Sequence, residues 1–227
     1  FKKALISMCC FDTPYISHED LNRTEMYLVE KRRQSEKVNM GSLEEWLNSL
    51  KIKVLVEQMN EKNRQRIVQL LNKTNQMNLI TRRMSEEELV NWLKEDNRRL
   101  WTFRVSDKFG DSGLAGIVSL EINKTRVDII DFVLSCRVFG RKIEETMVYT
   151  IIQYAKSLQL SEVRACYRPT AKNKPCLDFW KRSGFKNDDE ENTFCWKLDQ
   201  PFPEPKEVEK VGDLYGEIGY HVRYIRE

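Results

Sequence analysis

Several things are missing from this chain of 227 residues, and each absence narrows what it does. No stretch is apolar enough over the roughly 20 residues that a membrane-spanning helix needs. Residues 1–10 lack the long apolar core and cleavage site of a secretory signal. Charge of one sign is scarce as well. The 38 Lys and Arg against 35 Asp and Glu leave a formal +3, too little to point to nucleic acid. Only two histidines occur, His18 and His221, both outside the segment that reads as the core domain. Both are expected to be exposed, and neither can be set beside a nucleophile from the sequence. The six cysteines, at positions 9, 10, 136, 166, 176 and 195, form neither C-x-x-C metal pairs nor a disulfide framework. Reduced thiols in a cytoplasmic protein, with no metal site, are therefore expected. There is no internal repeat and no low-complexity tract, and the chain opens without a Met, as a fragment of a longer protein would.

The remaining composition is ordinary for a soluble protein, 41% hydrophobic and 32% charged. The length suits one good-sized domain with an appendage. The most informative stretch is 129–150. It begins as a β-branched and aromatic run, which reads as a buried strand. It passes through Arg137-Val138-Phe139-Gly140-Arg141-Lys142 and resumes with helical period, Ile143, Met147, Ile151 and Tyr154 sharing a face. Glu144 and Glu145 occupy the first turn, where the helix dipole favours acids. Strand, basic turn and helix start together make a site for a pyrophosphate. Helix N–H groups point at the anion, Arg137, Arg141 and Lys142 supply charge, and Gly140 lets the backbone approach.

Elsewhere, residues 1–50 read as helix and linker. Ser17 and Ser42 look like helix caps, and the charged 22–37 suits a solvated helix joining two bodies. Residues 51–57 alternate like an edge or half-buried strand, and 60–75 are helical. Ser85-Glu86-Glu87-Glu88 caps a helix reaching about Asp96. Strands are expected at 100–105, 114–122 and 126–136, with turns at 109–113 and at Asn123-Lys124. Beyond the central helix come a strand at 162–167, a helix at 173–182 stopped by Gly184, and a strand at 193–198. Pro201, Pro203 and Pro205 close the domain, and the tail shows weak strand character at 220–225.

This order, with Arg137-x-x-Gly140 between strand and helix, Asn173 at a strand exit and Phe179-Trp180-x-x-x-Gly184-Phe185 at a helix end, resembles the GNAT superfamily of N-acyltransferases over 51–199. Five further matches resemble the carboxy-terminal part of the FkbH-like family. They are Arg23-Thr24-Glu25-Met26-Tyr27, Asn72-x-x-Asn75-Gln76-Met77-Asn78-Leu79-x-Thr81-Arg82-Arg83, Asp107-x-Phe109-Gly110-Asp111, Leu134-Ser135-Cys136-Arg137-Val138 and Pro169-Thr170-Ala171-Lys172-Asn173. The resemblance implies an α/β (α+β) GNAT-like fold, with a mixed, mostly antiparallel sheet flanked by helices. It implies transfer of a glyceryl unit to an acyl carrier protein thiol in polyketide-type biosynthesis. A haloacid dehalogenase-type phosphatase domain is implied as partner, in the same or a separate chain. No D-x-D-x-[TV] motif is present, so 1–50 would be the end of that domain and a linker, and 200–227 a tail. The implied cofactor is coenzyme A, or phosphopantetheine on the carrier protein. Leu134, the turn 137–142, Thr170 and Asn173 would face it, although Asn173 equally suits a cap for the following helix.

Two departures stand out. Lys142 falls where the superfamily has a small residue, and Trp180 falls where it often has a proton-donating Tyr, which an indole cannot replace. Cys136 is the candidate nucleophile: Arg137 and a helix N-terminus beside a thiol favour thiolate, the species that exchanges acyl groups. By strand alternation Cys136 shares a face with Phe132 and Leu134, so burial is the competing reading. Asp131, a charge inside an apolar strand, is either an acid–base group or the partner of an Arg. Asn75, Asn78, Thr81, Arg82 and Arg83 form a dense polar segment, either substrate-binding or a loop satisfying its own turns. Arg82 and Arg83 could hold a carboxylate or phosphate, or meet an acidic carrier. The sheet should splay between the strand ending at Cys136 and the strand at 162–167, leaving a slot for a thiol arm. Two other classes stay open: an acyl-CoA-dependent transferase acting on an amine or hydroxyl, and a catalytically silent module that docks the carrier.

Overall fold

Alternating apolar residues in the middle of the chain drive a sheet whose two faces are both covered. The computed structural model describes residues 23–188 and 191–212. Ser17, Cys9, Cys10, His18, His221 and the expected strand at 220–225 lie outside them.

In chain order the elements are α1 (Arg23–Val38), α2 (Leu43–Leu50), β1 (Ile52–Gln58), α3 (Glu61–Lys73), β2 (Met77–Asn78), α4 (Glu86–Trp92), β3 (Arg98–Asp107), β4 (Gly110–Ile122) and β5 (Arg126–Leu134). A short 3-10 turn, Cys136–Val138, leads to α5 (Ile143–Ser157), β6 (Glu162–Cys166), α6 (Lys174–Arg182), β7 (Lys186–Asn187), β8 (Thr193–Lys197) and β9 (Val208–Val211). The strands form one sheet in the order β7-β8-β6-β5-β4-β3-β1-β9, with β2 paired to β5. Two pairings are parallel, β5 with β6 and β1 with β9, and the others are antiparallel. The class is mixed α/β, with a mostly antiparallel sheet flanked by helices.

Alternation along β5 divides the core. Val133 faces one side with Leu100, Leu114 and Ile117, against Ile67, Leu70 and Leu71 of α3 and Leu89 of α4. Phe132 and Leu134 face the other, against Met147, Val148 and Ile151 of α5, Phe179 and Trp180 of α6, and Trp46, Leu47 and Leu50 of α2. Each fully buried Leu or Ile here contributes ~1.5–3 kcal/mol over leaving it in water. Gly116 on β4 lets α5 come close: a Cβ there would stand 3.0 Å from Met147 Sδ and 3.2 Å from Phe103 Cβ.

Local signals set the helix starts. Ser85 Oγ accepts from Glu88 N at 3.2 Å, and Glu88 Oε2 accepts from Ser85 N at 2.7 Å. Asn60 and Asn63 form the same reciprocal box at α3. Some boundaries differ from those read in the sequence. Helix α4 stops at Trp92 rather than near Asp96, where Arg98 Nη1 takes the Trp92 carbonyl at 3.2 Å. Strand β1 is not at an edge, because the chain beyond the prolines returns as β9 and pairs with it. Phe202 and Val208 are buried, which explains the return. Helix α1 is mostly exposed, with Tyr27, Leu28 and Val38 in solvent, as its charge pattern suggests.

Candidate functional site

The parallel pairing of β5 with β6 ends at Ile129 and Ala165, while β5 runs on to Leu134. The expected splay is therefore present, and it is filled by the chain itself. Met77 and Asn78 pair antiparallel with Leu134 and Val133. Leu79 N donates to Phe132 O at 3.2 Å, and Arg168 N donates to Leu79 O at 3.0 Å. Segment 77–79 thus bridges the two strands where a pantetheine arm would lie.

Asn173 fastens this bridge. It is fully buried and has no capping bond to α6. Its Oδ1 accepts from Tyr167 Oη and from Thr170 N, both at 2.7 Å. Its Nδ2 donates to Asn78 O at 3.0 Å and Arg168 O at 2.8 Å. Asn78, also fully buried, donates to Thr74 O at 3.0 Å and accepts from Thr81 N at 2.7 Å, holding Thr81 at a φ of +55°. Asn75 Oδ1 accepts from Arg83, which also donates to the Leu71 carbonyl. The polar segment 75–83 is largely occupied with its own folding. Cys176 lies beneath it, and burial pushes its thiol up to about 12. Trp180 packs among Phe132, Phe179, Phe185 and Phe194, fully buried.

Asp131 is fully buried and bonds Ser119 Oγ and the Arg82 guanidinium. Arg82 lies over the Trp92 ring, 4.7 Å from its centroid. Of the two roles open to Asp131, the ion pair is the one the geometry displays.

After Leu134 the strand gives out, Ser135 N donates to Ala115 O at 2.8 Å, and the chain winds into the 3-10 turn. That turn swings Cys136 off the buried alternation, and it is exposed. Val138 is buried, and Phe139 packs on the larger core. Gly140 has a φ of +70° and Lys142 one of +63°, with Lys142 in the cap position of α5. Arg141 does not point outward. It is buried and pairs with Glu30 of α1 and, at 3.5 Å, with Asp107, and it donates to the Arg137 carbonyl. Asp107 is held bidentately by Arg33, at 2.6 and 2.9 Å. Burial lowers the Arg141 value, and the two carboxylates oppose that shift. Glu30 and Arg33 carry no distinguishing mark in the sequence, since a charged helix offers no signal for which residues turn inward.

Ser135, Cys136 and Arg137 border a cleft of about 850 Å³ on the α3 side. Arg66, Lys73 and Lys172 bring further positive charge to its walls, with Glu30 and Asp111 as acids. Among the described residues no group of three His, Cys, Asp or Glu could hold a metal. No helix of the described residues is long and apolar enough to cross a membrane.

The sequence resemblance implies coenzyme A in the splay and at the turn 137–142. Residues 77–79 fill the slot for its arm, and the Gly140 N–H already donates to Glu144 Oε1 at 3.0 Å. A cleft beside Cys136 lies open.

No protein-family model matches the chain, and no curated protein does. Among solved structures, a GNAT-family acetyltransferase from Staphylococcus aureus is similar at 10% identity and a TM-score of 0.49, covering 64% of this chain and 99% of that one. A spermidine N-acetyltransferase from Vibrio cholerae is similar at 17% and 0.48, covering 64% and 94%. An N-acetyltransferase from Thermoplasma acidophilum in complex with coenzyme A is similar at 16% and 0.44, covering 63% and 96%.

Proposed function

We propose that this domain is an acyltransferase that passes an acyl group between thiols through Cys136, delivering a glyceryl unit to the phosphopantetheine of an acyl carrier protein. The observation that carries the reading is the exposed Cys136 at the wall of a basic cleft. In the first step the Cys136 thiolate attacks the carbonyl of a donor thioester, a new C–S bond forms, and the donor's C–S bond breaks with its sulfur leaving as thiolate, which takes a proton from solvent. In the second, the carrier's thiol gives its proton to solvent and attacks the new thioester, and Cys136 Sγ leaves as thiolate. No electron is gained or lost overall. Exchange between thioesters is nearly isoenergetic, so the protein's task is alignment. Arg66, Lys73, Arg137 and Lys172 suit a phosphorylated arm and an acidic carrier surface. A phosphatase-type domain, in the same or another chain, would supply the activated acyl group.

The filled slot favours a second reading, a module that docks the carrier without chemistry of its own. An acyl-CoA-dependent transferase acting on an amine or hydroxyl is disfavoured by the same slot and by Trp180. The test combines the phosphatase-type domain, the carrier protein and this chain, with carrier charging read by intact mass. Cys136→Ala should abolish charging, and the Cys166→Ala control should charge normally. A folded Cys136→Ala protein charging at the normal rate would refute the proposal and leave the docking reading.

A further inference from the structure

The turn that opens α5 already holds a hydrogen-bond acceptor of its own. Glu144 is 2% exposed, although it belongs to the first turn of a helix. Its Oε1 accepts from Gly140 N at 3.0 Å, the donor that the +70° φ of Gly140 makes available. Its Oε2 is buried with no hydrogen-bond partner in the described structure. Burial pushes its carboxyl above the ordinary range, opposed by N–H groups of the turn and by Arg182. In either protonation state an oxygen of Glu144 remains to take the Gly140 N–H. Arg141 and Lys142 are engaged as well. Arg141 is turned inward onto Glu30 and Asp107, and Lys142 Nζ stands 3.4 Å from Glu145. A diphosphate needs backbone donors and uncompensated positive charge at a helix start. Here a side chain of the same helix takes the Gly140 donor.

We infer that Glu144 is a built-in substitute for a diphosphate, and that it makes the turn select against coenzyme A and for pantetheine carried without a nucleotide, as on a carrier protein. The choice of pantetheine rests on the function proposed above. The closing of the turn does not, so the two fail separately.

The test is therefore a titration with adenosine diphosphate, which probes the turn without involving a thiol. It is followed calorimetrically with the whole chain, and each variant's fold is checked by circular dichroism. The wild type and Glu144→Gln, whose amide oxygen still accepts the Gly140 N–H, should show no binding. Glu144→Ala should gain affinity by about tenfold or more. Glu144→Ser takes its place if the alanine variant fails to fold. Binding by the wild type would overturn the inference, and so would a folded Glu144→Ala or Glu144→Ser protein that gains nothing.

Discussion

Replacing Asn173 by Ala should destabilise the chain more than any other single change at the slot. Its amide is fully buried and makes four hydrogen bonds, to Tyr167 Oη, Thr170 N, Asn78 O and Arg168 O. Alanine removes all four and leaves the Tyr167 phenol and the Asn78 carbonyl buried without a partner, and the Thr170 N–H and Arg168 carbonyl part-buried. A buried hydrogen bond is worth ~1 kcal/mol net, and a stranded partner costs ~1–3 kcal/mol. Some partners will relax or admit water, so the expected loss is about 4 kcal/mol. For a chain of this size each kcal/mol moves the midpoint by ~2–4 °C, giving a fall of about 8–16 °C. Tyr167→Phe, which removes one of the four bonds, should lose only about 1 kcal/mol. The assay is urea unfolding followed by far-ultraviolet circular dichroism, with thermal melts alongside. A loss below about 1 kcal/mol for Asn173→Ala would refute the reasoning. It would mean that segment 77–79 is held across the slot by something other than this amide.

Three further changes test the surrounding electrostatics. Asp131→Ala should cost about 3 kcal/mol by leaving the partly buried Arg82 without its carboxylate, and adding Arg82→Met should recover most of that, both read by chemical denaturation. Arg141→Met should loosen α1, which it holds through Glu30, giving faster amide hydrogen exchange in Arg23–Val38 and a loss of about 3 kcal/mol. Glu144→Gln should gain over the wild type as pH rises. Because burial raises the Glu144 carboxyl above its ordinary 4.5, the folded chain holds this proton more tightly than the unfolded one. Wild-type stability therefore falls as pH climbs from about 4.5 toward the folded value, while Gln does not titrate. The difference in melting temperature should be flat at acid pH and widen above it, and a difference that narrows with rising pH would contradict this.

Periodicity made the elements of the sheet legible, and residue chemistry located the turn at 137–142. What periodicity cannot show is which polar residues a fold consumes. Asn75, Asn78, Thr81, Arg82 and Arg83 read equally as a binding surface or as a loop satisfying its own turns, and Asn173 as a ligand contact or a cap, because polar residues clustered in a loop serve ligands and turns alike. In the structure much of their hydrogen bonding goes to bridging the splay and pairing Asp131. Strand β2 escaped notice because Met77–Asn78 is too short to show alternation, and its pairing with β5 depends on a contact far along the chain. Glu144 looked like a dipole-stabilising acid; that it folds back on Gly140 follows from the i to i+4 spacing and from burial that only the packed helix creates. Cys136 is the opposite case. Strand alternation argued for burial, and the 3-10 turn after Leu134 exposes it.

Locating the acyl group on the protein tests the central claim most directly. The chain is loaded in the presence of the phosphatase-type domain, digested, and mapped by peptide mass spectrometry, and the loaded protein is then chased with carrier protein. The account predicts one thioester, on the peptide containing Cys136, that disappears as the carrier gains the same mass. An adduct on Cys166, Cys195 or another cysteine, or a carrier that is charged while the Cys136 peptide stays unmodified throughout, would contradict it.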